Sequence, residues 1–456
     1  MKMGRPHVLA IPYPAQGHVL PLMELAQCMA NSGIRVTFVN TEFNHRRIVK
    51  ALPDNESISE LIELASIPDG MELWEDRNDL GKLTEAMLRV MPEKLEALVE
   101  EINSGAEEDK IVCVIADYGL SFAFEVAEKF GVKKTAFLPA SVALLALALD
   151  APRLVDEGIL DCDGTPLKDE TIRLSLDMPE IRTVDLAWTR IGDAAAQKIC
   201  FNSMLKSIES AKHIDRILCN SSRALEPAAL KIVSACSPVG PLLASARLGC
   251  SAGHFWQEDA ACLEWLDEQP SNSTVYAAFG SFTVFDRIQF RELALGLELT
   301  NRPFLWVVRN DIIDDSDNAF PDGFLDRVKL RGKIVKWAPQ QKVLGHTAIA
   351  CFISHCGWNS TMEGVGNGVP FLCWPYFADQ FLNATYIADC WGVGLAAVKD
   401  GSGGVGREEI KRKIERLMGD ERYKVRALEL QAMAGEDGTS GKNLEEFVEW
   451  IKEIKL

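Results

Sequence analysis

The chain has 456 residues, 47% of them hydrophobic and 25% charged, with a formal net charge of −18. That length exceeds what one hydrophobic core usually supports, so two domains of roughly 200 residues each are expected. The acidic balance excludes a nucleic-acid partner, which would need clustered Lys and Arg, and disfavours docking to an anionic membrane.

Apolar strand-like runs alternate with helical periodicity along most of the chain. HVLAIPY, a helical stretch over residues 20–31 and IRVTFVN make a first βαβ unit. KIVCVIAD, a helix over 121–130 and KKTAFL make another. STVYAAFGS, PFLWVVR, KIVKWA, IACFIS, VPFLCWP and GLAAVK follow, each with helical periodicity behind it. Continuous apolar strands between helices imply parallel sheets covered on both faces. The expectation is an α/β protein of two doubly wound halves: a domain over 1–241, a linker over 242–257 (LLASARLGCSAGHFWQ) and a second domain over 258–437. A C-terminal helix over 438–456, read from LEEFVEWIKEIK, should pack back on the first domain.

The first apolar run is about six residues long, short for a signal-peptide core. The longest, Leu138 to Leu149, contains Pro139 and falls short of the ~20 residues of a spanning helix. The twelve cysteines include no C-x-x-C pair and read as reduced thiols of a cytoplasmic protein. Asn-x-Ser/Thr matches at Asn55, Asn220, Asn272, Asn359 and Asn383 then read as chance.

In open parallel sheets, ligands sit beyond the carboxyl ends of the strands. The residues at those ends are chemically rich here. His18 closes PAQGH after the first strand, and Asp117 ends KIVCVIAD. In the second half stand Gly280 and Ser281, Trp337, His355, and then Asp379 with Gln380. A ligand held between the two domains is expected. The stretch ISHCGWNST, 353–361, leaves a strand and enters a helix over 361–366. A helix N-terminus offers unpaired N–H groups and partial positive charge, which suits phosphate. Gly357 would admit close approach, while His355, Asn359 and Ser360 could donate. A plain helix cap at Ser360 and a core histidine at 355 fit the same residues.

Two further motifs read as bland. GSGGVG, 401–406, fits G-x-G-x-x-G but lacks the second strand of a dinucleotide unit, so a surface loop is expected. The acidic run 311–322 has no ordered ligand spacing and reads as a solvated loop, so no metal is expected.

From Trp337 to Gln380 the sequence runs WAPQQKVLGHTAIACFISHCGWNSTMEGVGNGVPFLCWPYFADQ. These 44 residues resemble the plant secondary product glycosyltransferase box of plant family-1 UDP-sugar glycosyltransferases. PYPAQGHVLPLMELA, CNSSRALEPAAL, VGPL and KNLEEFVEWI extend the resemblance over the chain. Two positions depart from it: Ala350 replaces a usual glycine, and Phe122 stands where tryptophan is common.

The resemblance implies the GT-B fold, two facing Rossmann-like domains with an interdomain cleft. It assigns Trp337 to stacking on uracil, with Gln340 and the Ala338 backbone on its polar edge. Glu363 would accept the ribose hydroxyls. His355, Gly357, Asn359, Ser360 and Ser281 would hold the diphosphate, and Trp358, Asp379 and Gln380 the sugar. It implies an inverting transfer of glucose from UDP-glucose to a hydroxyl of a small apolar metabolite: a flavonoid, phenolic or terpenoid. His18 would be the general base, its place at a helix N-terminus favouring the neutral ring, with Asp117 orienting it. Phe122, Leu138 and Phe377 would line the acceptor pocket. UDP-sugar is then a co-substrate, no cofactor or metal is needed, and a monomer is expected. Another UDP-sugar donor, or attack by carbon or nitrogen, stays open. Two other classes compete: a nicotinamide-dependent oxidoreductase, against which YPAQGH offers a single glycine, and a non-catalytic sugar-nucleotide-binding protein, which would not retain both His18 and Asp117.

Overall fold

The structure is a computed structural model, and it describes residues 5–52, 60–243, 252–313, 319–401, 403–436 and 438–454. The chain divides into two compact units, Met1–Gln257 with Asp437–Leu456, and Glu258–Glu436. Half of the expected linker, 244–251, lies outside the described residues, as do Asn55, Cys250 and part of the acidic run, 314–318.

The first unit contains β1 (His7–Ile11), β2 (Arg35–Thr41), β3 (Ile62–Ile67), β4 (Ile111–Asp117) and β5 (Lys133–Leu138). A short antiparallel pair follows, β6 (Thr171–Ile172) with β7 (Ile181–Arg182). β8 (Arg216–Cys219) and β9 (Cys236–Pro238) then complete a seven-stranded sheet in the order β3-β2-β1-β4-β5-β8-β9. All its pairings are parallel. The central strands β1 and β4 are buried at every residue, whereas edge strand β3 is mixed. Helices on both faces explain why HVLAI and IVCVIAD carry no polar alternation.

The second unit holds β10 (Thr274–Ala278), β11 (Phe304–Val307), β12 (Gly332–Val335), β13 (Ile349–Ser354), β14 (Phe371–Cys373) and β15 (Gly394–Ala396). They form a parallel sheet in the order β12-β11-β10-β13-β14-β15. Again the central pair, β10 and β13, is buried throughout.

The helix Thr439–Glu453 belongs to the first unit: Phe447, Val448 and Ile451 enter the core of Val8, Val36 and Phe38. Asn443 donates to the Pro238 carbonyl on β9 at 2.8 Å. No described helix is long and apolar enough to cross a membrane. The eleven described cysteines are all free thiols. Asn220 and Asn383 are fully buried, so neither presents a glycan acceptor in the folded chain. The glycine run near 401–406, of which residue 402 is not described, is pinned by Gln289, whose amide exchanges two hydrogen bonds with the Val405 backbone. Among the described residues, no group of His, Cys, Asp and Glu could hold a metal ion.

Candidate active site

Both sheets reverse their strand order beside their first strand, β1/β4 in one and β10/β13 in the other. At such a switch point the connections leave toward opposite sides, and the carboxyl ends of the two strands border an open crevice. Most of the sequence-read site residues lie at one or the other.

In the first unit, His18 occupies the first turn of the helix Gln16–Asn31, which starts four residues before the expected 20–31. Asp117 ends the neighbouring β4. His18 Nδ1 and Asp117 Oδ2 are 2.7 Å apart, with the carboxylate side chain 5% exposed and the imidazole 38%. The Gly119 N–H donates to the other carboxylate oxygen at 3.0 Å, fixing the side chain from behind. Tyr13 packs its ring 5.3 Å from the imidazole. A buried acceptor on Nδ1 selects the tautomer that carries its proton there and its lone pair on Nε2. Gln16, which the sequence reading passed over, is buried and clamps the returning chain. It donates to Gly253 O at 3.1 Å and accepts from Phe255 N at 2.6 Å. Phe122 and Leu138 are both buried, at 1% and 6% exposed.

In the second unit, the costly stretch after β13 folds around His355. Cys356 takes φ +64°, a strained value for a residue with a side chain, and Gly357 turns into an extended cap. The helix therefore runs Trp358–Gly366, three residues earlier than the expected 361–366. Glycine has no side chain to cap it, so the first N–H groups of this helix have no side-chain cap. Gly357 is also obligatory for packing: a Cβ there would lie 2.5 Å from His355 Nε2. A Cβ on Gly280, at φ +64°, would meet the same nitrogen at the same distance. The imidazole is thus packed against glycines from two strand ends. Burial, and then the neighbouring Arg309 guanidinium, push His355 down to about 3, which keeps it neutral. Ser281, next to Gly280, is half-buried.

Around Glu363 a polar cluster forms. Gln340 donates to its carboxylate at 2.5 Å and to the Ser360 hydroxyl at 2.8 Å, while Tyr276 donates to Gln340 Oε1 at 3.0 Å. Asn359 and Gln341 donate to the other carboxylate oxygen at 3.2 and 3.4 Å. Burial nevertheless raises Glu363 to about 7. Trp337 is half-buried and Ala338 buried, at the exit of β12. Trp358 is buried and packs its indole on Trp391, ring centroids 6.2 Å apart.

At the exit of β14, Gln380 is buried and its Oε1 accepts from the Tyr376 and Phe377 N–H groups at 2.8 and 3.0 Å. Its side-chain acceptor is thus engaged by backbone. Asp379 accepts from Asn383, which also donates to Cys356 O and so ties the two turns together. Phe377 packs on Phe282, centroids 5.6 Å apart. Asn383 and Arg309 were missed in the sequence. Arg309 had a visible signal, a charge ending the apolar run PFLWVVR.

This geometry has known counterparts. Residues 256–454 match the family model described as UDP-glucoronosyl and UDP-glucosyl transferase. UDP-glycosyltransferase 83A1 of Arabidopsis thaliana is 45% identical, with 99% of this chain and 98% of that protein aligned. A 7-deoxyloganetin glucosyltransferase of Gardenia jasminoides is 33% identical, with 97% of each covered. Among solved structures, a UDP-glucosyltransferase from Polygonum tinctorium, capable of glucosylating indoxyl, superposes with a TM-score of 0.82 at 28% identity, covering 98% of this chain and 99% of its own. The fold is GT-B, and the chain belongs to the plant UDP-glycosyltransferase family. It is an enzyme that transfers a glycosyl group from a UDP-sugar to a small metabolite.

Glu363 generates a stability prediction. Its pKa is raised from 4.5 in the unfolded chain to about 7 in the folded one, so its protonated form is the one folding favours. The ligand-free protein should therefore lose stability as pH rises from about 4.5 to about 7, and hold level above. Glu363→Gln should be more stable than the wild type at pH 8 and show a shallower loss over that window, measured by urea unfolding. Parallel curves for the two proteins would contradict it.

Proposed function

We propose that the enzyme moves glucose from UDP-glucose to a hydroxyl of a small apolar acceptor of the flavonoid, phenolic or terpenoid class, with inversion. The observation that carries this reading is the 2.7 Å contact between His18 Nδ1 and the buried Asp117. With Nδ1 held, Nε2 takes the acceptor's proton as the oxygen attacks the anomeric carbon. Asp117 stabilises the imidazolium that forms, without itself taking the proton. UDP departs as the C1–O bond breaks. Its developing charge meets the first turn of the Trp358–Gly366 helix, Ser281 and neutral His355, which acts as a donor. Trp337 would stack on uracil, Gln340 would order its surroundings, and Glu363 would accept the ribose hydroxyls. Asp379 and the Gln380 amide N–H groups would read the sugar. The free thiols suit a reducing, cytoplasmic setting.

Three outcomes check this. His18→Ala should abolish transfer to an aliphatic alcohol while UDP affinity stays within about twofold, because a positioned general base contributes roughly 10²–10⁴ in rate. Near-normal turnover with that unactivated acceptor would sink the assignment; acidic phenols are a poor probe, since they ionise unaided. Chelation with EDTA should leave the rate within about twofold, since a catalytic ion would supply several kcal/mol; loss restored by magnesium would overturn the protein-held diphosphate. In competition at equal concentration, UDP-glucose should be used ahead of UDP-galactose, UDP-xylose and UDP-rhamnose. Gln380→Asn cannot both keep its two backbone bonds and reach the sugar, and each bond lost costs about 1–3 kcal/mol. An unchanged donor ratio in that variant would remove Gln380 as the reader.

A further inference from the structure

Arg309 lies two residues beyond the end of β11, beside β10 in the sheet, and is 3% exposed. Its guanidinium forks across the turn that follows β10. One terminal nitrogen donates to the Gly280 carbonyl, and the other donates to the Thr283 carbonyl at 2.9 Å. Nε donates to Asp311 at 3.0 Å. The two carbonyls bracket Ser281. Only arginine places planar donors on two separated acceptors while carrying a permanent charge; lysine has the charge without the fork.

The charge is under-compensated. Asp311 is the carboxylate it bonds, and that side chain is 57% exposed, so water screens much of its field. The other two acceptors are neutral carbonyls. A buried cation is costly unless its field is used. Its neighbour His355 feels it, since the guanidinium contributes to holding that imidazole neutral. The same imidazole packs closely on Gly280 and Gly357, where an added Cβ would meet it, so Arg309, the 280–283 turn and the 355–357 turn are packed together.

We infer that Arg309 is a positioning residue of the diphosphate site: it locks the turn bearing Ser281 and places a buried positive charge behind the leaving group. This rests on the reading of the 337–380 segment as the UDP site. A purely structural role would be to hold the turn for stability alone, and the two differ in which part of the nucleotide is affected. Uridine shares the base and ribose contacts but lacks the phosphates.

The test is the affinity of the full-length protein for UDP and for uridine, by calorimetry, in the wild type, Arg309→Met and Arg309→Lys. Arg309→Met should weaken UDP at least about tenfold and leave uridine within about twofold; Arg309→Lys, keeping charge without the fork, should fall between. Equal weakening of both ligands, or no change in either, would overturn the inference. If Arg309→Met does not fold, Arg309→Lys decides: a UDP-to-uridine affinity ratio lowered at least about threefold supports the role, and an unchanged ratio ends it. A wild-type protein that binds neither ligand would instead remove the donor-site reading on which the inference stands.

Discussion

A parallel strand cannot close back on its neighbour, so its chain must leave over one face of the sheet. Where adjacent strands send their connections to opposite faces, their carboxyl ends stay uncovered. Each sheet here has one such place, and the chemistry follows from it. The β1/β4 reversal brings a histidine on a helix's first turn against a carboxylate on the next strand. The β10/β13 reversal brings two turns together around one imidazole. The two arrangements share a plan and differ in side chains: the first pairs an imidazole with a buried carboxylate, and the second packs an imidazole against glycines beside a buried guanidinium.

The site in the second unit keeps features that stability alone would discard. Cys356 and Ala378 hold left-handed backbone without being glycine, each in a turn at the end of a strand. Glu363 is buried without a cationic partner, satisfied only by amide donors, and burial raises it to about 7. Glu226 is a contrasting case in the first unit. It too is raised to about 7 by burial, yet it accepts from Val142 N, Ala143 N and the Ser221 hydroxyl, capping the helix Val142–Asp156. One buried acid caps a helix, while the other gathers the side-chain amides of Gln340, Gln341 and Asn359.

How much of this was legible in the residues depends on the length scale of the signal. Fully buried central strands announce themselves as unbroken apolar runs, so HVLAI, IVCVIAD, TVYAA and IACFIS were readable. Edge strand β3 mixes polar and apolar residues, and β8 and β9 have only four and three residues, too few for a period to show. The start of the helix at Trp358 was misplaced because an aromatic followed by Asn and Ser looks like the end of a turn. A positive φ at Cys356 lets the turn finish earlier. Candidate site residues at strand ends are legible by position. Contacts made across the chain are not: the Gln16 clamp spans more than 230 residues, and no local pattern encodes such a bond.

The return of residues 437–456 to the first unit has a consequence for how the chain is made. The second unit is an insertion, continuous in sequence from 258 to 436, and all six of its strands leave the ribosome before the first unit is whole. The core of Val8 and Phe38 needs Phe447 and Ile451, which are translated after the whole of the second unit. Domains commonly fold in the order of synthesis. Here the half translated first is the half completed second, and until the final helix emerges its apolar flank waits for a cover that the same chain has yet to supply.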